Sequence, residues 1–345
     1  MIALVDSLWE PNPWAALSAG GGLRRAGLVP LSSSRKAVMP IRCSLPPNLH
    51  EKPRPASTQT VKLPQTVGVG IKFQPLVLLC ALLLVLAWAP PGLAAGPWQS
   101  WRPGLESASF ALEASGPAPR PELVVLRIDP ARFALRLLCA GQVGGAPRTA
   151  RQWSSEFGLT AVINSSMYMK DNRTSVGLML TKDYMNNPRP AKGQNALLAL
   201  DPLWPGLTPA RLFDLTGTPL KKIRARYATL IQNYRLFTPA GKNLWKRADQ
   251  KWSSALVGQD REGRVLFMIC REVYPMPKLV ARLLALPLGL RAAMYVEGGP
   301  EATLYAAEGQ RELCVVGSFG SKVEQTQANT DEWALPNVIG VVPLP

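Results

Sequence analysis

SALVGQDREGRVLFMI, residues 254–269, holds two apolar runs separated by Asp260-Arg261-Glu262-Gly263. Each run is strand-length and the spacer is polar with a glycine, so the segment reads as a β-hairpin with a four-residue connection. Working outward, similar strand signals recur at 123–128, 133–139, 159–163, 175–180, 196–200, 229–231, 293–296, 313–316 and 338–342. Two helices stand out. The stretch 149–157 begins with a threonine suited to an N-cap. In 277–286, Leu279, Val280, Leu283 and Leu284 recur at helical spacing, with proline at the start and Pro287 after it. Many strands with a few interspersed helices predict an α+β fold. The expected form is a single domain with a mainly antiparallel or mixed sheet flanked by a few helices.

That domain is expected to occupy 96–345, with no internal repeat or dividing linker. Residues 1–70 hold nine prolines and no sustained apolar periodicity. They read as disordered, or as an extension from a start codon assigned too far upstream. Their basic residues are scattered, so no nucleic-acid partner is expected. Residues 71–95 read as a signal peptide or a membrane anchor: Lys72 precedes an apolar run at 76–89, then Pro90-Pro91 and small residues near 94–96. Fourteen apolar residues give roughly 21 Å of helix, short of a ~30 Å bilayer core, which favours a cleaved signal. The expected location is periplasmic or secreted. The alternative is an anchored protein that meets the membrane only through 76–89.

Composition restricts the chemistry. The chain of 345 residues has a formal charge of +16 and one histidine, His50, which lies in the N-terminal stretch. Residues 96–345 carry 30 basic and 20 acidic side chains and no histidine. A histidine triad, a histidine-ligated metal and an imidazole base are therefore excluded there. Cys139, Cys270 and Cys314 sit in apolar runs without a CxxC spacing, and they read as buried small hydrophobes. No cofactor is expected. Asp171, Asn172 and Glu297 could supply oxygens to Ca²⁺, but no EF-hand-like spacing supports such a site.

Polar residues collect just after strands. In AVINSSMY (161–168) an apolar strand delivers Asn164, then two serines and Tyr168, with Asp171 close behind. This is either a binding loop or an Asx-type turn with Tyr168 in the core. In AMYVEGGPE (293–301) a buried strand delivers Glu297 into Gly298-Gly299, with Glu301 four residues on. Two carboxylates around a turn can divide acid and base roles, and two glycines let a ligand approach the backbone. The alternative is a tight turn with an exposed Glu301. Gln232-Asn233-Tyr234-Arg235 follows a short strand. Arg235 could grip a phosphate, or could be a solvated strand residue. Trp252 could stack on a sugar. Asn186-Asn187-Pro188-Arg189 reads first as a turn whose amides and Arg189 could also hydrogen-bond a polyhydroxylated ligand.

Taken in order, AVINSSMY, SVGLML (175–180), LIQNYRLF (230–237), the 254–270 hairpin, the 277–286 helix and AMYVEGGPEATLY (293–305) resemble the phosphodiester glycosidase family. The resemblance extends over about 160–343 and is strongest to a bacterial branch with Asn-Asn-Pro-Arg and Glu-Gly-Gly-Pro-Glu-Ala segments. Three departures are visible. Ser165 stands where the family usually has glycine, Glu297 where it usually has aspartate, and Gln232-Asn233-Tyr234 in place of Ser-Gly-Pro.

The resemblance implies an exported glycoside hydrolase that cleaves a sugar-1-phosphodiester or related glycosidic linkage. Glu297 would be the principal catalytic carboxylate, with Asp171 or Glu301 as its partner. Asn164, Tyr168, Asn187, Arg189, Gln232, Arg235, Gly298 and Gly299 would bind substrate, with Arg235 on the phosphate. The partner would be a sugar phosphodiester or glycan. Two other classes stay open: a non-catalytic envelope protein that binds glycans, and a surface protein drawn to acidic polymers by its charge.

Overall fold

The computed structural model describes residues 97–345 apart from 115–120 and 319–328. The chain divides into units Met1–Pro91 and Gly92–Pro345, and the described residues fall in the second. The expectations for 1–70 and 71–95 lie outside the described residues. In order come β1 (Gln99–Arg102), β2 (Leu105–Ala111), β3 (Glu122–Ile128), β4 (Phe133–Cys139), α1 (Ala150–Phe157) and β5 (Ala161–Asn164). Next are β6 (Met179–Leu180), β7 (Met185–Asn187), β8 (Ala196–Pro202), β9 (Ala210–Asp214), α2 (Leu220–Arg224) and β10 (Tyr227–Arg235). The chain continues through β11 (Lys251–Asp260), β12 (Val265–Pro275), α3 (Met276–Ala285) and β13 (Leu290–Gly298). After a 3₁₀ turn (Gly299–Glu301) follow β14 (Thr303–Glu308), β15 (Arg311–Val316) and β16 (Asn337–Pro343).

The quoted hairpin is β11–β12, paired antiparallel at the centre of the larger sheet. Its turn is closed by Asp260, whose carboxylate accepts from Arg264 N at 2.8 Å and Arg264 Nε at 2.6 Å. Gly263 takes φ +89°, a conformation a side chain would strain. The larger sheet runs β1-β2-β3-β12-β11-β13-β10-β6-β7, with β8 and β9 joined through β10. The smaller runs β15-β14-β5-β16-β4. Every named strand pair is antiparallel.

The two sheets share one core. Phe267 and Ile269 of β12 and Val296 of β13 pack with Leu135 and Leu137 of β4, Ile163 of β5 and Ile339 of β16. The alternate residues of β12, Leu266 and Met268, face the other way and meet Leu279, Val280 and Leu283 of α3. Burying each such side chain contributes about 1.5–3 kcal/mol. On the smaller sheet, α1 places Trp153 against Leu138, Val162 and Val338. That helix starts in a capping box between Thr149 and Gln152 and stops at Gly158 with φ 63°.

The α+β expectation is corrected by this arrangement. Sixteen strands against three α-helices make the described chain mostly β, with two antiparallel sheets packed on each other and no helix-flanked single sheet. The physical reason is that both faces of the central strands are apolar. One face is covered by a second sheet, which the chain pattern cannot distinguish from a cover of helices. Short strands such as β2 (LESASFA) and β14 (TLYAAE) also carry too little apolar alternation to be read alone. The 175–180 strand shortens to β6. Cys139 and Cys270 are buried as expected, whereas Cys314 is exposed; all three are free. Among the described residues, no helix is long and apolar enough to cross a membrane.

Candidate active site

β13 belongs to the larger sheet and β14 to the smaller, so Gly298 and the 3₁₀ turn carry the chain from one sheet to the other. Glu297 stands at that crossing and is 8 % exposed. Opposite it, Ala255 pairs with Glu297 while Leu256 pairs with Tyr295, leaving Val296 as an extra residue in β13. Such a bulge redirects the side chain that follows it.

Asn164, at the end of β5, fixes the far side of the turn. Its Nδ2 donates to the Glu301 carbonyl at 2.9 Å, and its Oδ1 accepts from Thr303 N at 2.7 Å. Gly299 has φ +70°. Gly298 has no room for a side chain: a Cβ there would lie 2.1 Å from the Tyr295 hydroxyl and 2.8 Å from Trp252. Gly317 N donates to Ala302 O at 2.7 Å, closing the turn from β15.

Burial raises the Glu297 carboxyl well above the usual carboxylate range, and repulsion from Glu301 adds to it. The Gly298 N–H, 3.0 Å from Oε1, acts in the opposite direction. Burial also raises Tyr168 and Tyr295, and both hydroxyls feel the charges of Glu297 and Glu301. Two carboxyls and two phenols therefore share one electrostatic site. Behind it Tyr295, Trp245 and Trp252 pack as an aromatic cluster, with ring centroids 5.5–6.5 Å apart. Trp252 is a buried part of this cluster, so it is not an exposed stacking platform.

The sequence-predicted residues separate into groups. Glu297, Gly298, Gly299, Glu301, Asn164 and Tyr168 come together at the crossing. Tyr168 bridges to Ser175, whose carbonyl accepts from Asn187 Nδ2 at 2.8 Å; Asn187 Oδ1 in turn accepts from Arg189 N at 2.9 Å. This relay links the Tyr168 loop to Arg189, whose side chain is exposed and makes no ion pair among the described residues. Gln232 is buried and its amide is consumed. Oε1 accepts from Leu178 N and Ala191 N, and Nε2 donates to Ala191 O and Gln194 O.

Arg235 pairs with Asp214 and donates to Thr216 Oγ1 at 3.0 Å. Burial pushes the Asp214 carboxyl up, but Thr216 and Arg235 together hold it below its usual value. Asp171 is exposed in a turn. Its slight burial works upward, yet donors from Thr174 and Arg173 keep it below the ordinary range. Among the described residues, no group of three or more His, Cys, Asp or Glu side chains gathers as a metal site.

Sequence reasoning missed three members. Tyr295 sits inside a buried strand, where a tyrosine reads as core. Ser165 Oγ and Asn233 Oδ1 are buried polar atoms with no hydrogen-bond partner among the described residues. They are adjacent, because Asn233 Nδ2 donates to Ser165 O at 2.8 Å. The only signal for them was their place beside Asn164 and Gln232.

The sequence model of the phosphodiester glycosidase family matches residues 157–342. No curated protein matches the chain. Among solved structures, a hypothetical protein from Synechocystis is similar at 12% identity and TM-score 0.49, over 72% of this chain and 64% of that one. The catalytic domain of zebrafish N-acetylglucosamine-1-phosphodiester alpha-N-acetylglucosaminidase, auto-inhibited by its pro-peptide, is similar at 12% identity and TM-score 0.45, over 70% and 85%. A protein from Burkholderia pseudomallei is similar at 13% identity and TM-score 0.38, over 65% and 74%.

Proposed function

The chain belongs to the phosphodiester glycosidase family, and on that premise we propose that it hydrolyses a sugar-1-phosphodiester with Glu297 as the proton-bearing group. The observation that carries the reading is the buried Glu297 at the sheet crossing, raised by burial and by Glu301. A carboxyl whose proton is favoured by burial can donate it to the bridging oxygen as the C1–O bond breaks. Glu301, half-buried and four residues on, accepts the proton of the attacking water. The products are a free sugar and a phosphomonoester.

Tyr168 orients the sugar beside the two carboxyls, and Asn164 acts through the turn it clamps. Arg189 meets the phosphate, supported by the +10 charge of residues 96–345. Phosphate is a good leaving group, so a single acid suffices beside such a cation. The order of residues 72–97 supports export of the domain.

The test is turnover of a panel of sugar-1-phosphodiesters by the purified chain and by Glu297→Gln. A fall of at least ~100-fold is expected for a lost proton donor. Near-normal turnover in the folded variant, or binding without product release by the parent, would overturn the assignment.

A further inference from the structure

A second surface, sharing no residue with the Glu297 site, lies where the β6–β7 turn meets the turn after β8. Lys182, Met185, Leu203 and Arg224 line one open groove of about 510 Å³. Met185 is 55 % exposed, Leu203 49 % and Trp204 63 %. Exposed apolar side chains are ordinary when scattered; here Met185 and Leu203 line one groove and Trp204 follows Leu203 in the same turn.

They are also held outward. Leu203 N donates to Arg226 O at 2.8 Å, and Trp204 Nε1 donates to Ala225 O at 3.0 Å. Asp201 at φ 56° and Gly206 at φ 82° bound the turn, with Pro202 and Pro205 between them. A turn so constrained presents Leu203 and Trp204 at little further cost in entropy.

The surrounding charge is one-sided. Lys182, Lys221, Lys222 and Arg224 are all exposed around the apolar tip. The nearby carboxylates are Asp183 and Asp201, and Asp201 accepts from the Thr229 hydroxyl. A tryptophan and a leucine on a rigid turn, ringed by cations, match the interface of an anionic bilayer. The ring settles at headgroup depth and the ammonium and guanidinium groups meet lipid phosphates and carboxylates.

We propose that this tip docks the domain peripherally on an anionic lipid surface. The shape favours lipid over a protein partner, because the apolar groups protrude from a turn and do not form the centre of a flat patch.

The test measures amide exchange in the full chain with phosphatidylcholine vesicles, alone or mixed with phosphatidylserine. A local readout is needed because the apolar run 76–89 can itself enter vesicles. Exchange at 182–185 and 201–207 should slow with the anionic vesicles only. Lys221→Gln with Lys222→Gln should raise the vesicle concentration needed for that protection roughly tenfold or more. Leu203→Ser, which removes no hydrogen bond, and Trp204→Ser should each do so as well. Vesicle binding that leaves these two segments unprotected would overturn the proposal. So would sensitivity to the lysines without sensitivity to Leu203 and Trp204, which would mark a site for soluble polyanions.

Discussion

The side-chain amide of Asn164 clamps Glu301 from 137 residues away, donating to its carbonyl while accepting from the Thr303 N–H. A residue that looks like a sugar contact thus has both of its polar atoms committed to the shape of the turn after Glu297. Asn164→Ala should cost about 1–3 kcal/mol, because the Thr303 N–H is left buried and unpaired. It should also lower turnover about 10–100-fold by loosening Glu301. Denaturant unfolding and kcat, measured on the same preparation, check both; an unfolding midpoint equal to the parent's would refute the clamp.

The pH profile should be set by a carboxyl titrating well above its usual range. If Glu297 must be protonated, the rate falls as pH rises through its raised value. Glu301→Gln removes the repulsion and should shift this alkaline limb to lower pH without abolishing it, since burial is the larger cause. A limb that stays in place in Glu301→Gln would show that the two carboxyls are not coupled.

Gly298 is extended, at φ −141°, so a side chain there meets no backbone strain. It meets neighbours instead, with Tyr295, Trp252 and the Ser253 carbonyl all within 3.2 Å of a Cβ. Gly298→Ala should destabilise by about 1–3 kcal/mol through overpacking and should displace Glu297. Trimming the opposing ring in Tyr295→Phe should restore part of the stability. No recovery in the double variant would remove Tyr295 as the obstacle.

Arg235 and Asp214 form a largely buried pair, with side chains 14% and 19% exposed. Arg235→Met should therefore cost about 3 kcal/mol by leaving Asp214 without its cation. Because Asp214 titrates below its unfolded value, its contribution is present above that value and is lost as pH falls through the folded one. The parent should lose stability into acid more steeply than Asp214→Asn. A large rise in KM in a folded Arg235 variant would instead return the phosphate to Arg235.

Much of the scaffold was readable locally. β4 appears with the bounds its apolar run predicts, and β11–β12 forms around the Asp260–Gly263 turn. These features depend on period-2 patterning and turn chemistry, which act over a few residues. The candidate site was readable in its residue types: a carboxylate entering Gly-Gly, an asparagine ending a strand, and no histidine to compete with either. Asp171, Gln232 and Arg235 show where such reading ends. Each is a polar residue read as leaving a strand, although Gln232 and Arg235 lie within β10, and each is bound mainly by other parts of the protein.

The sequence by itself determined where many of the core strands run, that the described domain must work without imidazole, and that Glu297 leads into a glycine turn. Only the tertiary structure decided that a second sheet, and not a layer of helices, covers the first. It also decided that the Gly298–Glu301 turn bridges the two and that Asn164 holds it. Periodicity reports which faces of an element are apolar, not what will cover them. Hydrogen-bond partners such as Asn164 and Glu301 are chosen by long-range strand register, which no local pattern records.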